Sequence, residues 1–182
     1  MKSVLISIRP QWCEKIVIGK KTIEVRKSAP KEVPFKCYIY MTQGAYKDLG
    51  LYSEGIYQNR MKVIGEFICD KVYSIKNQGG RFVVADEEQS VTNEIARQSC
   101  LYYDDMVSYF GNKDGFGWHI SNLTLYDKPR ELSEFSRPCS YSGLCFSCKR
   151  TSFKKDGNLL CNTKITRPPQ SWMYVEDLGE EK

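Results

Sequence analysis

Charged residues that could bind an anionic ligand are concentrated in the segment from Ile18 to Arg26, which reads I-G-K-K-T-I-E-V-R. Glu24 and Arg26 would share one face of a strand, because alternate side chains of a strand point the same way. Lys21 can join them only from the turn before the strand, since regular pleating would place it on the other face. The spacing therefore predicts a charged site in which Glu24 and Arg26 lie side by side on a strand face, with Lys20 and Lys21 at its mouth.

A helix and the strands on either side of it must position this site. Trp12 and Ile16 lie one turn apart in the amphipathic segment Gln11–Ile18, which predicts a short helix, and Gly19 suits its C-cap because glycine readily adopts a positive φ. The β-branched residues of Ser3–Ile8 and of Thr22–Arg26 predict a strand on either side of that helix. A helix followed by glycine and a charged strand is an arrangement that can present an ion pair to a ligand.

Periodicity predicts the remaining elements. Strands are predicted at 35–41, 62–73, 115–126 and 171–176, and helices at 86–97 and 101–110. Gly65 lies inside a strand, which indicates a bulge or a close backbone approach. The apolar face of the segment 115–126 switches near Asn122, which indicates a bulge or a join between two strands.

The residues Gly19, Lys21, Glu24 and Arg26 match G-x-K-x-x-E-x-R, and this segment resembles the signature of the ASCH domain family, a branch of the PUA-like superfamily. The segments 8–10, 63–67 and 117–120 resemble that family too. The resemblance implies an α+β fold, specifically a PUA-like mixed, mainly antiparallel β-barrel with flanking helices. It also implies a cleft that receives RNA or a modified nucleobase.

A binding module for RNA, or for a nucleotide or nucleoside, is the first functional interpretation. Lys21, Arg26 and Arg9 would contact phosphate, Glu24 would pair with Arg26 or accept a hydrogen bond from a base edge, and aromatic residues would stack. The full set of predicted nucleic-acid-binding residues is Arg9, Lys21, Glu24, Arg26, His119 and Trp172. Residues 1–47 contain ten Lys or Arg and three Glu, a balance of +7, which fits an anionic partner but also fits an ordinary solvated face.

An enzyme is the alternative interpretation. The resemblance implies that a relative of this kind can be a small amidohydrolase acting on acetylated cytidine, with a lysine, a threonine and a glutamate in the reaction. Lys21 matches the lysine, but Glu24 occupies the threonine position and cannot be the same hydroxyl nucleophile. If this chain is an enzyme, we expect Lys21 and Glu24 to be catalytic, with Glu66 as a further candidate acid because it lies in a neighbouring strand.

Four cysteines near the carboxyl end predict a metal site. Cys139, Cys145, Cys148 and Cys161 form C-x5-C-x2-C-x12-C in a stretch with few residues that could form a core. Four thiolates suit a structural zinc ion, which would supply the folding energy of this zinc-binding loop. An iron–sulfur cluster, free thiols or disulfides are the other possibilities. The remaining cysteines are predicted to be ordinary buried thiols.

The length of 182 residues predicts one domain, 1–182, with the Cys-rich zinc-binding insertion at about 132–168. We expect no membrane span and no signal peptide, and therefore a cytoplasmic protein, because apolar runs are short and Met1-Lys2 leads directly into a strand. A protein–protein adaptor built on the Cys-rich loop is a third functional class.

Overall fold

The computed structural model describes residues 1–44, 58–85, 87–139, 151–153, 159–161 and 163–179. Within these ranges the chain forms three α-helices: α1 (Pro10–Val17), α2 (Gln89–Ser99) and α3 (Tyr103–Phe110). The strands are β1 (Lys2–Ile8), β2 (Ile23–Arg26), β3 (Phe35–Met41), β4 (Val63–Cys69), β5 (Val72–Gln78), β6 (Arg81–Val84), β7 (Gly115–His119), β8 (Ser121–Arg130), β9 (Thr151–Phe153), β10 (Leu159–Cys161) and β11 (Trp172–Val175).

The larger sheet has five strands in the order β11-β1-β3-β4-β8. Only the β1–β3 pair among these is parallel, and such a pair needs a crossover, which α1 and β2 supply. Ile6 and Ile39 are directly paired between β1 and β3, so their side chains lie on the same face of the sheet. Cys13 and Ile16 of α1 pack against them there. The amphipathic pattern of α1 is therefore satisfied by this face of the sheet.

The smaller sheet has four antiparallel strands in the order β2-β7-β5-β6. Ile95 of α2 and Phe110 of α3 cover one of its faces, together with Ile23 and Ile75 from the strands themselves. From its other face Trp118 enters the core of the larger sheet, where it is fully buried. The two sheets therefore pack against each other through Trp118, whose ring meets Phe35 edge-on at 5.1 Å between centroids.

The prediction of a closed barrel is wrong for the part of the chain described here. Its strands form the two sheets above and a separate β9–β10 hairpin, and no strand pairing joins the two larger sheets. The physical reason lies at two breaks, Asp70–Lys71 and Ile120, where the chain leaves one sheet and enters the other. Strands that change sheet at a break pack face to face instead of closing edge to edge.

The same two breaks correct the predicted strand lengths. The segment 62–73 was predicted as one strand, but it holds β4 and the beginning of β5. The join predicted near Asn122 is confirmed: β7 ends at His119, β8 begins at Ser121, and Asn122 has a φ of +47°. Gly65 is likewise a point of close approach, because a Cβ there would lie 2.4 Å from the Thr124 carbonyl oxygen.

The other face of the five-stranded sheet is covered by chain that flanks the Cys-rich segment. Leu5 and Tyr38 pack there against Phe135 and Ile165, all of them buried. The ring of Phe135 lies edge-on to that of Tyr38 at 5.0 Å between centroids. The beginning and the end of the predicted insertion, 132–168, are thus anchored in the core, while its boundaries stay a prediction.

In the described ranges, every helix is too short or too polar to cross a membrane.

Candidate functional site

A tight turn after α1 delivers Lys21 to the predicted site. Gly19 has a φ of +72°, as its C-cap role requires, and its N–H donates to the Ile16 carbonyl oxygen. The Lys21 N–H then donates to the Lys15 carbonyl oxygen at 2.9 Å, and β2 begins only at Ile23. Lys21 therefore lies before the regular pleat, which is the condition under which it can converge with Glu24 and Arg26.

The three charged side chains do converge. Lys21 Nζ lies 3.3 Å from Glu24 Oε2, and Arg26 Nη2 lies 3.0 Å from Glu24 Oε1. Each residue exposes less than a tenth of its surface: 2% for Lys21, 6% for Glu24 and 7% for Arg26. This charged cluster, Lys21–Glu24–Arg26, therefore forms a buried line of two cations on either side of one carboxylate.

Two backbone carbonyls from distant parts of the chain hold the cations in place. Lys21 Nζ donates to the Ser99 carbonyl oxygen at 2.7 Å, and Arg26 Nη2 donates to the Ser7 carbonyl oxygen at 2.6 Å. Ser99 is the last residue of α2, where the helix dipole favours a positive charge. Neither anchor carries a signal in the sequence, since a carbonyl can belong to any residue.

The burial of this charged cluster has an energetic cost. Arg26 Nε and Glu24 Oε2 are inaccessible to solvent and make no hydrogen bond with any described residue, although Glu24 Oε2 has the Lys21 ion pair. Burial lowers the pKa of Lys21 below its ordinary value, against the opposing effect of Glu24. Buried polar groups without hydrogen-bond partners lower the stability of a fold.

A cavity of about 730 Å³ opens above the charged cluster. The residues that line it come from β1, α1, β2, α3 and the segment before β11: Ser7, Ile8, Arg9, Gln11, Trp12, Lys21, Glu24, Val25, Arg26, Thr42, Leu101, Asp105, Ser108, Tyr109, Pro168, Pro169 and Gln170. Arg9 is exposed at its edge. This volume falls in the range of small-molecule and cofactor sites.

Lysines lie close to the two aromatic side chains that line this cavity. The Nζ atoms of Lys15 and Lys21 are 4.5 and 5.3 Å from ring centroids of Trp12. Lys27 Nζ lies 5.1 Å from the centroid of Tyr109. Such pairs attract through the ring quadrupole, so cations collect beside the aromatic walls. Tyr109 was not predicted as a site residue, although the helix that contains it was predicted.

His119 and Trp172 are absent from the lining of this cavity. His119 pairs with Ile23 in the β2–β7 register, so it shares the sheet face of Ile23 and lies opposite the face of Glu24. There His119 Nδ1 lies 2.6 Å from Asp70 Oδ1, and this contact lowers the pKa of Asp70. Trp172 pairs with Ile6, packs edge-on to Trp118 and lines a second cavity instead.

Glu66 also lies outside the first cavity. It belongs to a polar cluster on the larger sheet, where the Tyr126 hydroxyl donates to Glu66 Oε2 and Lys36 Nζ lies 3.4 Å from Glu66 Oε1. Lys36 Nζ also contacts Asp177 Oδ1 at 3.2 Å. Burial and the hydrogen bond to Glu66 raise the pKa of Tyr126 above its ordinary value. Glu66 is therefore a paired, half-buried acid, and this structure does not bring it to Lys21.

The predicted metal ligands fall largely outside the described residues. Cys145 and Cys148 lie in the range 140–150, only the backbone of Cys161 is described, and Cys139 is exposed. Groups of three or more metal-ligating side chains are absent from the described residues. The backbone does show that Cys161 pairs with Thr151 in the β9–β10 hairpin. The zinc site stays a prediction.

Of the other cysteines, Cys13, Cys37 and Cys69 are buried as predicted, and burial raises the pKa of the Cys69 thiol to about 12. Cys100 differs, because it is only half-buried.

Solved structures of known proteins share this fold. An ASCH protein from Zymomonas mobilis has a TM-score of 0.56 and 17% sequence identity over 96% of this chain and 88% of that chain. Two mutants of the same bacterial protein give TM-scores of 0.56 and 0.55 at 16% identity, over 97% and 96% of this chain and 91% and 89% of theirs. No protein-family model and no curated protein sequence matches this chain.

Proposed function

We propose that this chain, which has the fold of the ASCH domain proteins, binds RNA or a nucleotide from it in the cavity above Lys21, Glu24 and Arg26. One observation carries the proposal. The charged cluster, held in place by Ser7 and Ser99, forms the floor of a cavity with aromatic side chains in its walls. The phosphate, the base edge and the base face of a bound nucleotide would each have a complementary group in this cavity.

The cations supply the phosphate contacts. Glu24 offsets one of the two positive charges of the charged cluster, so Lys21 and Arg26 together leave one net positive charge at the cavity floor. Arg9 adds an exposed guanidinium at the edge, and arginine suits phosphate because its fork can bind two oxygens at once. Anionic ligands are therefore favoured over neutral ones.

The walls and the carboxylate supply the base contacts. Trp12 and Tyr109 both line the cavity, and bases stack on such rings with little regard to sequence. Glu24 is an acceptor, which can take a hydrogen bond from an exocyclic amine of a base. Stacking in a groove with phosphate contacts is how proteins hold single-stranded RNA.

Hydrolysis of a modified nucleoside such as acetylated cytidine is a second candidate, favoured by the buried lysine. Because burial lowers the pKa of Lys21 beside Glu24, this pair is suited to proton transfer closer to neutral pH than an exposed lysine. Glu24 would then take a proton from the attacking water and pass it to the departing amine of the base, so that acetate and the free amine are the products, and Lys21 would stabilise charge on the attacked carbonyl oxygen. Position 24 is a glutamate, so it has no hydroxyl group that could act as the nucleophile.

The test is a titration of the wild type, Lys21→Met and Glu24→Gln with pooled short RNAs and with free modified nucleosides. Lys21→Met keeps most of the side-chain volume while removing the charge. Lys128→Met serves as the matched control, because Lys128 is exposed and lies outside the cavity lining. Binding is measured at about 50 mM and about 200 mM salt, and products are analysed in the same samples.

We expect RNA binding that weakens with salt and falls by about tenfold or more in Lys21→Met, while Lys128→Met matches the wild type. A new nucleoside product that disappears in both cavity variants would instead establish the hydrolase. Absence of any binding by the wild type, or equal binding by all four proteins, would refute the assignment of this cavity.

A further inference from the structure

A second cavity, of about 710 Å³, lies along the β11 edge of the five-stranded sheet. Trp172 and Tyr174 of β11 line it, together with Lys2 of β1 and Lys31 of the loop that follows β2. The two aromatic rings meet edge-on at 5.3 Å between centroids, and neither side chain is fully buried. This second cavity therefore combines partly exposed aromatic surface with lysines.

Two segments of chain link the lining of the second cavity to that of the first. Strands β1 and β11 run antiparallel, and β1 has Ser3 in the second cavity and Ser7 in the first. At about 3.3 Å per residue these positions are roughly 13 Å apart, which about four stacked nucleotides would span at about 3.4 Å each. The loop after β2 follows the same path, from Arg26 in the first cavity to Lys31 in the second.

A hydrogen bond fixes that loop against the sheet edge. Trp172 Nε1 donates to Ser28 Oγ at 3.1 Å, between the two cavities. The tryptophan thereby holds the loop in place and still contributes to the lining of the second cavity. This bond anchors the loop after β2, where Lys27 and Ser28 are exposed between Arg26 of the first lining and Lys31 of the second.

The charges of the second cavity are compatible with a phosphate backbone. Lys31 is exposed and forms no ion pair with a described residue, whereas Lys2 is paired with Glu32 at 2.7 Å. Two acids also line the cavity, but Asp177 is bound by Lys36 at 3.2 Å and by the Tyr38 hydroxyl at 2.6 Å. Glu176, the other acid, is exposed. Lys31 is thus the cation available for a phosphate.

We propose that the second cavity is a distal nucleotide subsite, in which Trp172 and Tyr174 stack with bases and Lys31 contacts phosphate. The ligand of the whole molecule is then a single-stranded oligonucleotide that spans both cavities, and a free nucleoside fills only the first. This inference rests on the proposed function, and it extends that function to a second surface.

The experiment compares fluorescein-labelled random-sequence RNAs of about two and about six nucleotides. They are titrated against the wild type, Lys21→Met, Lys31→Glu, Tyr174→Ala and Lys128→Glu. Lys128→Glu makes the same charge change as Lys31→Glu at an exposed site outside both cavities. Because Tyr174→Ala removes part of the core packing, its thermal unfolding is measured alongside, and Lys31→Glu tests the proposal without that complication.

We expect the longer RNA to bind the wild type about tenfold more tightly than the shorter one. Lys31→Glu and Tyr174→Ala should each weaken binding of the longer RNA by about fivefold or more and leave the shorter RNA unaffected. Lys128→Glu should match the wild type for both.

Equal affinity for the two lengths, or equal losses for both RNAs in Lys31→Glu, would overturn the distal subsite. In that event, binding of the short RNA that disappears in Lys21→Met would still support the proposed function. If neither RNA binds the wild type, both proposals fail together.

Discussion

Glu24 is the residue on which the charged cluster depends, because among the described residues it is the one acid that contacts both cations. Its two oxygens lie 3.3 Å from Lys21 Nζ and 3.0 Å from Arg26 Nη2. Removal of one member of a buried ion pair is costly, since the remaining charge is left without compensation. The Ser99 carbonyl oxygen, at 2.7 Å, gives Lys21 one further partner. A ligand thus meets a preorganised charge arrangement.

Lys21→Met should change how the free energy of unfolding varies with pH. Burial lowers the pKa of Lys21 in the folded chain, whereas the unfolded chain keeps the ordinary value of 10.5. Between these two values the unfolded state binds more protons, so the Lys21 contribution raises the stability of the wild type as pH rises. We expect the wild type to gain stability relative to Lys21→Met as the pH rises towards the ordinary lysine pKa of 10.5, measured by urea unfolding.

The control for this pH dependence is Lys128→Met, which removes an exposed lysine and should follow the wild-type curve. Parallel curves for the wild type and Lys21→Met would show that the pKa of Lys21 is the same in the folded and unfolded chains.

Strand β4 shows how one small residue sets the distance between two elements. The β4–β8 register shifts between Val63 and Gly65, and a Cβ at Gly65 would lie 2.4 Å from the Thr124 carbonyl oxygen and 3.1 Å from Leu125 Cα. Both contacts are with backbone, which cannot move aside as a flexible side chain can. The close pairing of β4 and β8 therefore requires glycine at this position.

Gly65→Ala should destabilise the protein by about 1–3 kcal/mol, because the added methyl group forces β4 and β8 apart. Urea unfolding measures this loss. The matched control is Thr124→Ala, which keeps the same carbonyl oxygen and removes only an exposed side chain, so that its stability should stay within about 0.5 kcal/mol of the wild type. A Gly65→Ala variant as stable as Thr124→Ala would contradict the steric explanation.

At the scale of the whole molecule, strand β1 contributes residues to the lining of both cavities, Ser7 to the first and Ser3 to the second. Pro168 and Pro169, in the segment before β11, line the first cavity. Pro138, which precedes the Cys-rich stretch, lines the second. The Cys-rich stretch therefore connects the two cavity edges along the chain.

The zinc prediction is tested on the full chain. We expect a single zinc ion per molecule by elemental mass spectrometry, lost in Cys139→Ser, because four thiolates in C-x5-C-x2-C-x12-C spacing suit tetrahedral zinc. A chelator should lower the thermal unfolding temperature of the wild type, since metal binding contributes to folding. Cys100→Ser, which removes a cysteine outside the four, is the control. Iron in place of zinc, or no metal at all, would refute the prediction.

Local features of the fold could be predicted from the sequence alone. Strand β3 occupies the predicted residues, Phe35–Met41, and Gly19 has the positive φ that its capping role requires. Glu24 and Arg26 share a face as predicted, with Lys21 in the turn before them. These features depend on residues within a few positions of each other, so hydrophobic periodicity and glycine placement suffice to determine them. The charged cluster was thus determined by the sequence.

The tertiary structure decided what surrounds that cluster. Lys21 is held by the carbonyl of Ser99, 78 residues away, and no side-chain pattern encodes a carbonyl contact. His119 lies on the far face because its register pairs it with Ile23, and Trp172 faces the second cavity because it pairs with Ile6. Two sheets form instead of a barrel because the chain breaks at Asp70–Lys71 and at Ile120. Strand register and sheet packing depend on contacts between distant residues, which local periodicity does not specify.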